Sequence, residues 1–248
     1  EFAELANAIE ELRVDLEGRE YVEEYVNTMA HELKTPIAGI QATAENLLTP
    51  MDDKQRQHHI NNILEANNRM KILINRLLDL SKIERRDILD NVESIDVKTL
   101  IADVIKTPAR LKRITEKSIT LEYDIEQDFS LKVEKLLAEQ AIGNVIDNAI
   151  DFTPNNSIIT IQVRESNKFI SIKVMDQGEG IPEYARKQLF KRFFTTSRPD
   201  TGKRGNGLGL RFVREIMNLH GVDVQVKNRF MEKGAVATLS FPINNKGE

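Results

Sequence analysis

Up to about residue 88, apolar side chains return every three or four positions. Val22, Val26, Met29, Leu33, Ile37, Ile40, Ala44 and Leu47 form one run; Ile60, Ile63, Met70, Leu73, Leu77 and Leu80 form a second, with "TPMDDKQ" between them. That period is helical, and the polar break makes the pair an α helical hairpin. The stripe is longer than a hairpin alone covers, so the pattern predicts self-association into a dimeric four-helix bundle. Past "ERRDILDNVESID" the period shortens to two: "SITLEYDI", "SIITIQVRE", "FISIKVMD", "VDVQVKN" and "AVATLSFPI" alternate as half-buried strands do. Helical runs near 97–107, 134–151, 183–192 and 208–220 lie between them. The second half is therefore predicted to be a mixed sheet covered by helices on one face, an α/β two-layer sandwich.

Composition narrows the function. The 248 residues carry 35 Lys and Arg against 39 Asp and Glu, a net charge of -4, which offers no basic surplus for a nucleic acid. There is no cysteine, so disulfides and thiolate metal sites are excluded. His58 and His59 are neighbours on a helix and His220 is far along the chain, a poor arrangement for zinc. No apolar run reaches the roughly 18 residues that span a bilayer, and no basic-then-apolar leader opens the chain. The start at Glu1, in mid-pattern and without methionine, reads as part of a longer protein.

The segment "NTMAHELKTPIAGI" sets His31 about 180° around its helix from Val22 and Ile40, pointing out of the bundle. A neutral, exposed imidazole is a nitrogen nucleophile near neutral pH. Glu32 is placed to take a proton or orient the ring, Lys34 adds positive charge, and Thr35, one turn on, is able to hold a water. Pro36 lacks an N–H and is expected to bend the helix just past the nucleophile. An ordinary solvated histidine explains the same stretch.

Four motifs in the second half point to a nucleotide. In "NVIDNAIDFT", Asn144 and Asn148 share a helix face, and two amide oxygens suit a hard cation such as Mg2+. In "DQGEGI", Asp176 follows a strand, where its carboxylate can accept from the exocyclic amine of adenine; Gly178 and Gly180 let backbone approach the base. "RGNGLGL" places Gly205, Gly207 and Gly209 before a helix, an anion site suited to phosphates. The preceding loop, "TTSRPDTGKR", reads as a lid with Arg198, Lys203 and Arg204 as phosphate contacts, and "LFKRFFTT" sets Phe190, Phe193 and Phe194 beside it.

In this order the four stretches resemble the N, G1, F and G2 boxes of the catalytic domain of two-component sensor histidine kinases, which share an ATP-binding fold with gyrase and the Hsp90 chaperones. "MAHELKTPI" resembles their H box. "EYVNTMAHELKTP", "DNAIDFTP" and "NLHG" are similar to the CreC subgroup of membrane-bound sensors, and "EFAELANAIEELRVDLEG" is similar to the end of a HAMP relay. The resemblance implies a relay helix over 1–20, a dimerisation and phosphotransfer domain over 21–90, and a catalytic ATP-binding domain over 91–248, swinging about a linker near 88–97.

It also implies an ATP- and Mg2+-dependent protein-histidine kinase. His31 is phosphorylated with Glu32 assisting, and the group passes to the receiver domain of a response regulator; Thr35 serves in dephosphorylating that partner. The implied nucleotide contacts are Asn144, Asn148, Asp176, Gly178, Gly180, Ile181, Phe190, Arg192, Phe193, Lys203, Arg204, Gly205, Gly207, Leu208, Gly209 and Leu210, with Asn144 and Asn148 on the metal. The implied assembly is a homodimer, and the implied place is the cytoplasmic portion of a bacterial inner-membrane sensor. Two rivals stay open: a gyrase- or Hsp90-like ATPase, and a nucleotide-binding scaffold without kinase activity. Asn144, where such ATPases use a glutamate, disfavours the first, while Asp151, standing where these kinases often carry a base, keeps the second open.

Overall fold

The computed structural model describes residues 26–166, 168–200, 202 and 205–243. The expected relay helix over 1–20 lies outside the described residues, as do Lys203 and Arg204. The chain forms two compact units, one through Leu78 and one from Asp79 onward. Among the described residues no helix is long and apolar enough to cross a membrane.

Helix α1 covers residues 26–46 and α2 runs Asp53–Glu84. The turn between them is built from its own side chains. Thr49 Oγ1 donates to the Asn46 carbonyl at 2.7 Å, and Pro50 follows, which cannot continue a helix. Asp52 then accepts from the Gln55 amide at 2.7 Å while Gln55 accepts from the Asp52 amide at 3.3 Å, a reciprocal capping box that starts α2. Val26 and Ile37 on α1, and Ile60, Leu64, Ile74 and Leu78 on α2, are exposed. On α2 the pairs 60/74 and 64/78 each stand two heptads apart, the rhythm of a helix-pairing seam.

The second unit is built on a five-stranded mixed sheet. Its elements are β1 (Val92–Asp96), α3 (Val97–Ile105), α4 (Pro108–Glu116), β2 (Thr120–Ile125), β3 (Ser130–Glu134), α5 (Lys135–Phe152), β4 (Ile158–Glu165), β5 (Phe169–Met175), α6 (Glu183–Arg186), α7 (Gly209–Leu219), β6 (Val224–Asn228) and β7 (Ala235–Pro242). The large sheet has the order β2-β4-β5-β7-β6; β2 pairs with β4 in parallel and the other neighbours are antiparallel. Helices α3 and α7 both pack on α5, which lies on β5 and β7. Ile159, Ile161 and Val163 of β4 and Ile170, Ile172 and Val174 of β5 are buried at every second position, as are Ile142, Ile146 and Ile150 of α5. Each contributes about 1.5–3 kcal/mol by leaving water.

Three local expectations change. The linker expected near 88–97 contains strand β1, paired with β3 from Val92↔Glu134 to Asp96↔Ser130. Five residues are too few for alternation to stand out, and the partner strand lies across a helical stretch. Helix α4, announced by Pro108 at its first turn, was not expected because it is short and mostly polar and none of its residues is fully buried. The helix expected over 183–192 ends at Arg186 and continues as turns, with Gln188 N bonded to Ala185 O at 2.9 Å and Lys191 N to Gln188 O at 2.9 Å. Those three-residue spacings satisfy the backbone without a full α-turn.

His220 closes α7. Its Nδ1 donates to the Ile216 carbonyl at 2.7 Å, its ring meets Phe241 edge-on at 5.6 Å, and its buried Nε2 has no hydrogen-bond partner among the described residues. Burial pulls its pKa down, against the opposing pull of the Ile216 carbonyl and of Glu134. The unfolded chain therefore takes the proton first as pH falls. Stability from this residue is expected to be full above about pH 6.5 and to decline below it, toward the lower value held in the fold. Urea midpoints between pH 7 and 5 should fall in the native chain, and His220→Leu should flatten that slope.

Candidate functional site

In the first unit, His31 and Glu32 are exposed on α1. Thr35 Oγ1 donates to the His31 carbonyl at 3.3 Å, so the threonine sits one turn along the same face. Pro36 deprives the Glu32 carbonyl of its usual donor, yet the helix continues to residue 46.

In the second unit, α5 is the wall on which the other motifs meet. Its apolar face is buried, from Leu137 to Ile150, which turns Asn144, Asp147, Asn148 and Asp151 the other way. Asn144 Nδ2 donates to the Gln140 carbonyl at 2.9 Å, leaving Oδ1 as the outward atom. A side-chain carbon on Gly209 would lie 3.3 Å from that oxygen. Asn144 and the N-terminus of α7 are thus neighbours, and Asn148 is half-buried one turn further on. The Asn144 amide oxygen here faces the end of a helix whose free N–H groups favour an anion.

Asp176 leaves the end of β5 and is mostly buried. Its Oδ1 accepts from the amides of Gly178 at 2.8 Å and Ala235 at 3.1 Å, which leaves Oδ2 as the oxygen able to receive an external donor. Burial raises its pKa, while those two amides and the Arg229 guanidinium pull it back down. The loop it begins is fastened from the other side by Asn228, whose Oδ1 accepts from Ile181 N at 2.6 Å and whose Nδ2 donates to Ile181 O at 3.1 Å. At Gly234, φ is 115° and a side-chain carbon would lie 2.0 Å from the Asp176 carbonyl oxygen, so this turn admits only glycine.

Gly207 is equally constrained: φ is 63°, and a side-chain carbon would lie 2.3 Å from the Phe193 carbonyl carbon. Phe193 itself takes φ 62°. Leu208 is fully buried, and Gly209 and Leu210 open α7. Phe190 carries the Arg214 guanidinium 5.2 Å over its ring. Arg192 does not stand alone toward these glycines; it and Arg211 both hold Glu84 at the end of α2.

The charged side of α5 is dense. Arg110 grips Asp147 through two bonds, Nε to Oδ1 at 3.0 Å and Nη2 to Oδ2 at 2.9 Å, and Arg113 adds a third at 2.9 Å. Arg113 also pairs with Asp151, whose other oxygen pairs with Arg198. Lys117 donates to the carbonyls of Ile150 at 2.7 Å and Thr153 at 2.9 Å, closing the C-terminal end of α5, and pairs with Asp200 at 2.5 Å. Gly205 sits beside this group, with a side-chain carbon there 3.6 Å from Arg198 Nη2.

Comparison with known proteins gives this arrangement its family. The model of the His Kinase A (phospho-acceptor) domain matches residues 21–86, and that of the histidine kinase-, DNA gyrase B- and HSP90-like ATPase matches 133–245. The chain belongs to the sensor histidine kinases. The sensor protein CreC of Escherichia coli K12 is 38% identical over 239 residues, 96% of this chain and 49% of CreC, so the chain spans about half the length of that relative. Among solved structures, histidine kinase ThkA in complex with the response regulator protein TrrA aligns at a TM-score of 0.74 and 24% identity, covering 94% of this chain and 65% of ThkA. Acinetobacter baumannii histidine kinase AdeS aligns at 0.66 and 24%, covering 87% and 98%. These two likenesses concern the fold.

The second unit holds residues that the sequence alone does not single out: Asn228, Arg229, Gly234 and Ala235, all at the turn between β6 and β7. They lie more than forty positions from Asp176 and Ile181, the residues they hold, and the glycine before "AVATLSFPI" is their only local sign. Replacing Asp176 by Asn keeps an oxygen for the Gly178 and Ala235 amides but turns the outward acceptor into a donor. Asp176→Asn is expected to fold normally and to lose adenine-nucleotide affinity on the order of tenfold to a hundredfold, measured by calorimetry. Unchanged affinity would remove Asp176 from the site.

Proposed function

We propose that the chain is the catalytic portion of a two-component sensor histidine kinase that phosphorylates His31 from ATP and passes the group to an aspartate on a response-regulator receiver domain. One observation carries this reading: an exposed histidine in a phospho-acceptor domain stands on the same chain as a buried carboxylate and a glycine-opened helix packed against one asparagine-bearing helix. In this reading Asp176 accepts from the adenine amine, and Gly205, Gly207, Gly209 and the start of α7 receive the phosphates. Phe190, Phe193, Ile181, Gly178, Gly180, Leu208 and Leu210 shape the surrounding wall, and Arg192, Lys203 and Arg204 are further cationic contacts. Mg2+, held by Asn144 and Asn148, neutralises charge on the triphosphate when bound.

The bare ring nitrogen of His31 attacks the γ-phosphorus. A P–N bond forms as the bond to the bridging oxygen breaks, ADP leaves, and the ring's other proton is taken by Glu32. Thr35, one turn along, orients the water that dephosphorylates the partner regulator. The functional assembly is a homodimer, because the exposed seam of Ile60, Leu64, Ile74 and Leu78 needs a second helix pair to cover it. The native protein, on this reading, is a membrane-bound sensor with this portion on the cytoplasmic side.

The gyrase- and Hsp90-like ATPase reading finds no support among these relatives, and no feature of the site favours it. Incubation with γ-labelled ATP and Mg2+ tests the proposal. The native chain should acquire acid-labile label, and His31→Gln should acquire none while keeping ATP affinity. Released phosphate without label would identify an ATPase instead, and neither product would identify a scaffold.

A further inference from the structure

Asp151 is an acid where the family resemblance leads one to expect a base, beside residues that receive a triphosphate. Left uncompensated it would repel phosphate, and in the last turn of α5 it also opposes the helix dipole. The structure compensates it closely. Asp151 Oδ1 accepts from Arg113 and Oδ2 from Arg198, and Lys117 pairs with Asp200 two residues beyond Arg198. Arg110, Arg113, Lys117 and Arg198 face Asp147, Asp151 and Asp200, four cations against three carboxylates. The group as a whole stays positive.

Arg198 is the member that reaches the phosphate side. Its Nη2 lies 3.6 Å from where a side chain on Gly205 would begin, at the entry to the glycine segment that opens α7. That nitrogen is also the one Asp151 holds; it carries two N–H groups and the guanidinium five in a fixed fork, so a carboxylate on one N–H orients the remaining donors toward a second anion. Pairing also lowers the entropy lost when a long side chain is fixed on a ligand.

We infer that Asp151 is a positioning residue for the triphosphate: it holds Arg198 beside Gly205, so the cation that other family members carry on the helix is delivered here from the loop. This rests on the nucleotide reading above and adds to it a residue that touches no phosphate itself.

Binding of ATP and of adenosine to the full chain, with Asp151→Ala, Arg198→Ala, the double variant and the charge swap Asp151→Arg with Arg198→Asp, tests the inference. Each single variant should weaken ATP about three- to tenfold while leaving adenosine binding unchanged, since adenosine carries no phosphate. The double variant should be no weaker than either single one, because one interaction is being removed twice. The swap should recover most of the loss by returning the cation to α5. Equal losses for ATP and adenosine would assign the pair a purely structural role and overturn the inference, as would additive losses. Tighter ATP binding by Asp151→Ala would also overturn it, by showing that the carboxylate only repels. A native chain that binds neither ligand overturns the nucleotide reading itself and this inference with it.

Discussion

Burial of the apolar face of α5 is the constraint from which the nucleotide site follows. Leu137, Ala141, Ile142, Val145, Ile146 and Ile150 are removed from water by the sheet and by α7, and their packing leaves no freedom in the rotation of the helix. Because side chains repeat every 3.6 residues, fixing that face also fixes the direction of Asn144 and Asn148. A slip of one residue would send both amides into the core at the cost of burying unpaired polar groups. The same burial brings the α7 N-terminus against Asn144 and the loop after β5 against Phe152, whose carbonyl oxygen would lie 2.6 Å from a side chain on Gly178.

The polar side of the helix is held by charge, and there the balance differs. Asp147 is locked by two arginines from α4 with bidentate geometry, so it serves the fold by tying α4 to α5. Gly143 belongs to that tie, since a side chain on it would lie 2.4 Å from Arg110 Nη2 as the arginine crosses the helix. Asp151, one turn later, is shared between a scaffold arginine and a loop arginine. Its pairs sit near the surface, where such contacts add little to stability, so their effect is chiefly on where a guanidinium points.

The phosphoacceptor side uses the opposite physics. His31 is exposed on its helix among the described residues, which suits the phosphotransfer role proposed for it. The nucleotide side is preorganised instead. Asp176 is fixed by two amides, and positive φ angles at Gly207 and Phe193 set the backbone of the loop before α7 in a conformation available to few residues. Rigidity is concentrated on the side that must discriminate one small molecule, and accessibility on the side that meets many surfaces.

Much of this was legible along the chain. Period-four and period-two patterns separate the helical hairpin from the sheet unit because side-chain direction repeats with the backbone, and Asp176, the glycines and His31 announce themselves through residue types that few other roles require together. Strands β1 and β3 and helix α4 were not legible, being too short or too exposed for their period to register. Neither was the support of Asp176 by Arg229 and Ala235, nor the partner of Asp151. Those contacts join residues dozens of positions apart, and sequence spacing carries no information about which charges meet once β5 and β7 are paired and α4 is laid on α5. Local pattern determined which chemistry the chain carries; the tertiary fold alone decided which cation an unexpected carboxylate would hold.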